Sequence, residues 1–259
     1  MNPPEKLYKY RELNAYTIDT IVRSVIYFAK PSEFNDPFDC MFCPTNYDGT
    51  EGEYREFWTR IAKPHLQAEK LADEVEQKIR DGAHLKQNLD DCWEVAQKEQ
   101  NKTTGLFCLT QDPANILMWS HYAGKHAGCC LEFSTVESIF KAARIIDYPK
   151  SYPNHRFLDC MNVNNRELLY KLRFFIKANL WDYEKEWRML FDEKNEKGPG
   201  LYEFKKEALT GIIFGCQMIP EHKDLVRRLV AGRNPRVQLY ETKPCKGYFK
   251  MQIIPISAP

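Results

Sequence analysis

The sequence predicts an α+β fold with a mixed or antiparallel, split β core, and three observations support this class. Short segments that alternate apolar and polar residues recur along the chain from Leu7 to Ile254, as they do in strands. Several follow one another without the regular strand–helix alternation of a parallel sheet. Residues 51–102 instead combine charged, helix-forming residues with apolar side chains at helical spacing. We therefore predict a single domain, 1–259, with a helical insertion at 51–102.

Composition restricts the class of protein further. The 259 residues are 43% hydrophobic, enough for a substantial core, so a disordered or fibrous chain is excluded. Lys and Arg number 37 against 36 Asp and Glu, which gives no global positive field for duplex nucleic acid. Nine cysteines, the lack of an apolar signal segment and the lack of about 20 consecutive apolar residues predict a cytoplasmic protein with reduced thiols and no membrane span.

The elements can be predicted in chain order from these patterns. In the first part we predict strand Leu7–Arg11, helix Ala15–Arg23, strand Val25–Ala29, a proline-bounded loop Lys30–Asp39, and two or three helices within 51–102. In the middle we predict strand Gly105–Thr110, helix Pro113–Ala123, strand Ala127–Phe133, helix Thr135–Ala143, strand Arg144–Tyr148, helix Leu168–Leu180 and strand Glu184–Phe191. At the end we predict strands Leu201–Phe204 and Gly211–Gly215, helix Pro220–Val230, and strands Val237–Tyr240 and Phe249–Ile254.

The strand ending at Phe191 carries the most informative charge pattern. With a period of two, its aromatic and apolar residues share one face, while Glu184, Glu186 and Arg188 share the other. Two tryptophans and a tyrosine surround these charges, which favours a cleft. The alternative is a half-buried strand whose polar side is held by salt bridges.

A second candidate cluster is the segment His121-Tyr-Ala-Gly-Lys-His126, which follows Trp119. Two histidines five residues apart do not match the i, i+4 spacing of a helical metal pair, and no carboxylates stand at ligand spacing, so we predict no metal site. The aromatic rings could stack on a base and the histidines could donate to phosphate or ribose oxygens. The alternative is that each imidazole has a structural role.

Familiar phosphate-binding and hydrolase motifs are missing from the sequence. No Gly-x-Gly-x-x-Gly follows a predicted strand, and no Walker-type Gly-Lys-Ser/Thr occurs, so a Rossmann or P-loop phosphate site is excluded. Ser120 precedes His121 without the Gly-x-Ser-x-Gly elbow, so a Ser-His-Asp hydrolase has no support.

Several motifs, taken in order, resemble the bacterial family called domain of unknown function 2971. They are Leu7–Arg11, Tyr27-Phe28, Phe34-Asn-Asp-Pro-Phe-Asp39, Leu117–Tyr122, His126-Ala-Gly128 and Trp181–Arg188, and they extend over about residues 7–215. This resemblance implies a family without implying a particular chemistry.

A more distant similarity is to the ADP-ribosyltransferases, whose split β core carries an Arg or His on a first strand, an aromatic-Ser step on a second and a catalytic Glu on a later one. The similarity implies that Lys9 or Arg11 grips a dinucleotide, that Tyr27 marks the second strand, and that Glu186 acts on the ribose with Glu184 as a paired acid. Ala29-Lys30 departs from the expected Ser-containing step.

Three functional hypotheses follow. The first is an NAD-using, ADP-ribosyltransferase-like enzyme that transfers ADP-ribose to a macromolecular acceptor or hydrolyses NAD, as a bacterial toxin or phage-defence effector would. The second is a non-catalytic module that binds a nucleotide or signal. The third is a nuclease effector that uses His121 and His126 on RNA.

All three hypotheses predict one concave site assembled from distant parts of the sequence. We expect catalytic roles for Glu186, Glu184 and His121, and ligand binding, with NAD as the substrate, by Lys9, Arg11, Tyr27, Asn35, Asp36, Trp119, Tyr122, His126 and Arg188.

Overall fold

The computed structural model describes residues 1–64, 67–192 and 197–256, and the chain divides into two compact units. Unit 1 comprises Met1–Glu33, Thr103–Tyr148 and the described part of Asn179–Pro259, and unit 2 comprises Phe34–Lys102 and Pro149–Ala178. The helical segment 51–102 lies in unit 2. That unit is larger than the predicted insertion, because it also contains the loop after residue 33 and a second chain segment.

Strands and helices alternate irregularly along the chain. The strands are β1 (Lys6–Arg11), β2 (Val25–Phe28), β3 (Gly105–Thr110), β4 (Cys129–Ser134), β5 (Arg144–Ile145), β6 (Glu186–Phe191), β7 (Gly200–Glu203), β8 (Leu209–Phe214), β9 (Gln238–Pro244) and β10 (Met251–Pro255). The α-helices are α1 (Ala15–Arg23), α2 (Glu51–Ala62), α3 (Ala68–Arg80), α4 (Lys86–Thr103), α5 (Ile116–Tyr122), α6 (Phe157–Cys160), α7 (Arg166–Phe174) and α8 (Pro220–Arg233).

Unit 1 is built on an eight-stranded sheet with the order β10-β9-β8-β4-β1-β3-β6-β5. Strands β8 and β9 are parallel, and the other neighbouring pairs are antiparallel. Strands β2 and β7 form a separate two-stranded antiparallel sheet. The described residues therefore confirm a mixed α+β fold with a large mixed sheet.

One face of the large sheet packs into the main core of unit 1. Leu7, Phe107, Leu131 and Met189 come from four adjacent strands, and burying their side chains contributes the largest favourable term in folding. The amphipathic helix α1 adds Ile21 to the same core. Asn14 caps this helix, because its side chain accepts a hydrogen bond from the Thr17 N–H.

Unit 2 has a core of its own among α2, α3, α4, α6 and α7. Its largest side chains include Trp93, Phe157 and Phe57, whose rings meet edge to face. The start of α2 is fixed by a capping box, in which Thr50 and Glu53 exchange hydrogen bonds. The predicted helical content of this region is confirmed as three helices over 51–103.

Some predicted elements are shorter in the structure. Helix α5 begins at Ile116 because the Asn115 side chain caps it by accepting from two backbone N–H groups. The helix predicted at Thr135–Ala143 is only a 3-10 turn at Ile139–Ala142. Strand β6 starts at Glu186, because the preceding residues Asn179–Glu184 form a 3-10 helix. None of the described helices has the length and apolar character needed to cross a membrane.

Candidate functional site

The large sheet opens between β1 and β3. These strands pair only at Tyr8 and Thr110, whereas β1 continues to pair with β4 as far as Arg11 and β3 continues to pair with β6 as far as Gly105. We call the resulting gap, between Lys9–Arg11 on β1 and Phe107–Leu109 on β3, the β1–β3 opening.

Lys9 spans this opening. Its Nζ atom donates a hydrogen bond of 2.7 Å to the Cys108 carbonyl oxygen, and it lies 4.7 Å from the centroid of the Phe107 ring. Desolvation, and then the neighbouring Arg11, lowers the pKa of Lys9 to about 8, while the carboxylates of Glu186 and Glu184 act in the opposite direction. Lys9 therefore shares its electrostatic surroundings with both predicted acids.

Arg11 is a partly buried cation at the end of β1. Burial lowers the pKa of its guanidinium, and within the described residues that guanidinium makes no hydrogen bond or ion pair. The backbone around it is tightly packed, because a Cβ atom at Gly128 would lie 2.2 Å from the Arg11 carbonyl oxygen. The planar fork of such a desolvated guanidinium is suited to an anion that presents two acceptor oxygens, such as a phosphate.

Glu186 and Arg188 form a buried, two-point ion pair on β6. The Nε atom of Arg188 donates to Oε1 of Glu186 at 2.6 Å, and Nη2 donates to Oε2 at 3.0 Å. The alternation predicted for this strand places Trp187 and Met189 in the core on the other face. Arg188 is 0% exposed, so the polar side of the strand is buried rather than wet. Because each charge is out of water, each depends on the other.

Glu184 lies in the 3-10 helix that precedes β6, and it contacts Thr110 of the adjacent strand β3. Its Oε1 accepts a hydrogen bond of 2.7 Å from the Tyr122 hydroxyl, and its carbonyl oxygen accepts one of 2.6 Å from Thr110 Oγ1. The side chain is 3% exposed. Helix α5, through Tyr122, thus fixes one carboxylate, while Arg188 fixes the other.

Cys108 was not among the predicted site residues. It lies between the cations of β1 and the acids beside β6, because β3 is the strand between β1 and β6. It pairs with Arg188 across the strands, and its carbonyl oxygen binds Lys9. Burial and then Glu186 raise the pKa of the thiol to about 12, although Arg188 and Lys9 act in the opposite direction. The thiol is therefore neutral at pH 7.

Lys9 and Arg11 leave β1 on a different side from the acids. Residues alternate along a strand, so both side chains leave on the face of Leu7, which is in the main core, whereas Glu186 and Arg188 share the face of Thr110. We predicted a single concave surface. The structure instead places the cations and the acids on opposite faces of the sheet, on either side of β3, and of the two cations Lys9 interacts electrostatically with Glu186 and Glu184.

Of the two aromatic residues Trp119 and Tyr27, both assigned to ligand binding, Trp119 requires correction. Trp119 is fully buried, its indole N–H donates to the Pro113 carbonyl oxygen at 2.9 Å, and its ring packs against Tyr10, so it offers no face for a base. Tyr27 lies on the second strand, β2, as predicted, and its hydroxyl donates to Glu33 at 3.0 Å. The strand between the cations and the acids is β3.

The two histidines differ in exposure and in structural role. His121 is exposed, and its ring centroid lies 6.2 Å from that of Tyr122. His126 has a φ of 69°, and its N–H donates to the Trp119 carbonyl oxygen at 3.1 Å, so it forms part of the turn after α5. The Nδ1 atom of His126 is buried and has no hydrogen-bond partner within the described residues.

Asn35 and Asp36 belong to unit 2, whereas the β1–β3 opening belongs to unit 1. Asn35 is exposed. Asp36 is buried and forms an Asx turn, because its Oδ1 accepts from the Phe38 N–H at 2.9 Å. With this hydrogen bond Asp36 stabilises a reversal of the chain, which is the ordinary structural role of an Asx turn.

A second buried carboxylate on the same sheet also escaped prediction. Glu132 on β4 is 5% exposed and is bound by Tyr8, Thr210 and Lys6 at 3.2, 2.8 and 2.9 Å. The alternation of Leu7–Arg11 could have indicated that Tyr8 faces away from the main core. No local signal in the sequence indicates that Glu132 is its partner.

Fold and site together define an α+β protein with a cluster of buried charges at a split in its sheet. A family model described as "Protein of unknown function (DUF2971)" matches residues 118–189 and supports the resemblance to that family. The matched range includes Tyr122, Glu184, Glu186 and Arg188 but neither Lys9 nor Arg11. No curated protein and no solved structure matches the chain significantly. Across the described residues, no group of three or more His, Cys, Asp or Glu side chains could hold a metal ion.

Proposed function

We propose that unit 1 is an NAD-using enzyme of the ADP-ribosyltransferase type. One observation carries the proposal: β1, β3 and β6 are adjacent, so a pair of cations and a pair of carboxylates flank one strand at the β1–β3 opening. A dinucleotide needs both kinds of group, because its pyrophosphate is anionic and its nicotinamide ribose becomes cationic during cleavage.

The cations would bind the pyrophosphate. Arg11 makes no hydrogen bond or ion pair within the described residues and is partly desolvated, so a phosphate would supply the anion that it lacks. Lys9 is charged below about pH 8 and would add a second positive charge beside it. The buried Arg188 is held by Glu186 and would orient that carboxylate rather than bind the ligand.

The carboxylates would act at the ribose. When the bond from C1′ to the nicotinamide nitrogen breaks, its electron pair leaves with nicotinamide and positive charge develops on the sugar. Glu186 or Glu184 would stabilise that charge, and Tyr122 would keep Glu184 in place. An acceptor oxygen or nitrogen then forms the new bond at C1′ and loses its proton. Water as acceptor gives NAD hydrolysis, and a macromolecule gives ADP-ribose transfer, as in a toxin or phage-defence effector.

Release of nicotinamide tests this proposal. Purified protein is incubated with NAD, alone and with a cell lysate as the source of acceptors, and nicotinamide is quantified by chromatography. We expect release by the wild type and little by Arg11→Ala. Lys205→Ala serves as the matched control, because Lys205 is exposed and outside the cluster. Unchanged NAD in both mixtures would contradict the enzymatic proposal.

A second candidate, a non-catalytic nucleotide-binding module, is favoured by the ion pair on β6. Both carboxylate oxygens of Glu186 already accept hydrogen bonds from Arg188. In this case the same cations would bind phosphate while the acids only set the local charge. Measurable NAD affinity without nicotinamide release is the expected result.

The nuclease alternative draws no comparable support from the contacts. Acid–base cleavage of RNA by two histidines needs both imidazoles at the scissile phosphate. His121 is exposed, whereas Nδ1 of His126 is buried. Loss of intact RNA in the lysate without NAD consumption would favour the nuclease.

A further inference from the structure

The hairpin that joins β9 to β10 ends in an ordered turn with two exposed aromatic residues. Its tip is residues 245–250, with the sequence Cys-Lys-Gly-Tyr-Phe-Lys. The turn is closed by hydrogen bonds from the Cys245 N–H to the Lys250 carbonyl oxygen and from the Lys250 N–H to the Tyr248 carbonyl oxygen, both 2.8 Å long. Gly247 has a φ of 82°, which favours glycine at this point of the turn.

The side chains of this hairpin tip are displayed to solvent. Phe249 is 104% exposed and Tyr248 is 77% exposed. Because the backbone on both sides is hydrogen-bonded, these rings are held outward by the turn and do not belong to a frayed end. A single exposed apolar residue is ordinary, but two exposed aromatic residues in succession at a closed turn concentrate apolar surface there.

Lysines flank the two aromatic residues. Lys246 and Lys250 are exposed, and within the described chain neither forms an ion pair. The next lysine along β9, Lys243, is neutralised by Glu241 at 2.7 Å. The hairpin tip therefore combines an apolar apex with two uncompensated positive charges beside it.

We infer that the hairpin tip binds the surface of an anionic membrane. A convex apex of Tyr and Phe matches the interfacial region of a bilayer, where aromatic side chains concentrate, and the flanking lysines match anionic headgroups. Single-stranded nucleic acid fits less well, because it is usually held in a positively charged groove and not on a protruding turn. With two cations and two rings the attachment is weak and reversible.

Flotation with lipid vesicles tests the inference on the full chain. Vesicles of phosphatidylcholine alone are compared with mixed phosphatidylcholine and phosphatidylglycerol vesicles, at low and raised salt. We expect binding to the anionic vesicles only, weakened by salt. The double variant Tyr248→Ser/Phe249→Ala should bind at least about tenfold more weakly, and Lys246→Glu/Lys250→Glu should abolish the preference for anionic lipid.

Matched control variants carry equivalent changes elsewhere on unit 1. Tyr16→Ser removes another exposed aromatic residue, and Lys141→Glu/Lys205→Glu reverses two other exposed lysines. Both should bind like the wild type. The inference is overturned if wild-type protein does not float with anionic vesicles, or if the hairpin-tip variants float as well as the controls. Loss of single-stranded DNA binding in these variants, without vesicle binding, would assign the tip to nucleic acid instead. Nicotinamide release does not depend on this result.

Discussion

Arg188 in unit 1 and Arg173 in unit 2 are both buried, yet their partners differ in kind. Arg188 is 0% exposed and binds both oxygens of a carboxylate. Arg173 is 3% exposed and donates to the Gln97 carbonyl oxygen and to Oδ1 of Asn101, at 3.2 and 2.8 Å, and to the Gln100 side chain. These acceptors are neutral, and the Arg173 Nε atom has no partner within the described residues.

The positive charge of Arg188 is therefore neutralised by a carboxylate, whereas, in the part of the chain that the structure describes, that of Arg173 is not. Burial lowers the pKa of Arg173 to about 10, because amide oxygens do not replace the water lost from a cation as completely as a carboxylate does. Arg173 connects α7 to α4, which is a structural role. The Arg188–Glu186 pair holds a buried carboxylate in a fixed orientation, which is the arrangement that the proposed enzymatic role of Glu186 requires.

The largest effect on stability is expected from Arg188→Ala. The change leaves the Glu186 carboxylate buried without its partner, which costs about 3–5 kcal/mol of unfolding free energy. Urea unfolding followed by circular dichroism measures this loss. The double variant Arg188→Met/Glu186→Met is the informative comparison, because it removes both charges and should recover much of the stability. Equal losses in the two variants would mean that packing, not charge, accounts for the effect.

Arg173→Met should cost less than Arg188→Ala, on the order of 1–2 kcal/mol. Methionine fills most of the volume of the side chain, and the amide oxygens that remain are neutral, so no buried charge is left unpaired. The same urea experiment measures both variants. A loss at Arg173 as large as that at Arg188 would contradict the proposed difference between the two arginines.

Arg188→Lys should resemble Arg188→Ala more than the wild type in nicotinamide release. The two hydrogen bonds that orient Glu186 require the planar fork of a guanidinium, which an ammonium cannot reproduce. Nicotinamide released from NAD by the three folded proteins measures this effect. If lysine restored wild-type release, positive charge alone would be sufficient at this position.

The effect of Lys9 on stability depends on pH. Between about pH 8 and pH 10.5 the unfolded chain keeps a proton on this residue that the folded chain has lost, so Lys9 makes stability rise with pH over that interval. The difference in unfolding free energy between wild type and Lys9→Met should therefore increase from pH 8 to pH 10.5. A difference that is flat or falls with pH would mean that the lysine is not desolvated in the folded state.

Helices and strands of this chain were predictable from local sequence patterns, whereas the residues that lie next to them in the fold were not. The bounds of α1 were predicted correctly, because the pattern of its residues is a local feature. The two-sided character of β6 was also predicted, since alternation is a property of one strand. That its polar side would be buried could not be predicted, because this depends on the elements that cover the strand.

The arrangement of the site lay beyond local patterns. The position of β3 between β1 and β6 depends on pairing between residues that are far apart in sequence, so the place of Cys108 between the cations and the acids could not be predicted. Trp119 was interpreted as a pocket wall because an aromatic residue beside polar ones has the same sequence signature in a core and in a cleft. The β1–β3 opening could not be predicted from the sequence, because no local pattern indicates that two adjacent strands lack hydrogen bonds over part of their length.

One preparation of Glu186→Gln provides the most direct test of the proposed role of the β1–β3 opening. Glutamine keeps the shape and hydrogen-bonding reach of the side chain but removes its charge. Melting temperature, NAD affinity and nicotinamide release are measured on that preparation and on the wild type. We predict near-normal NAD affinity with nicotinamide release reduced about 100-fold or more, equivalent to about 3 kcal/mol of transition-state stabilisation. A lower melting temperature with undiminished release from the folded protein would contradict the account and leave Glu186 as the structural partner of Arg188.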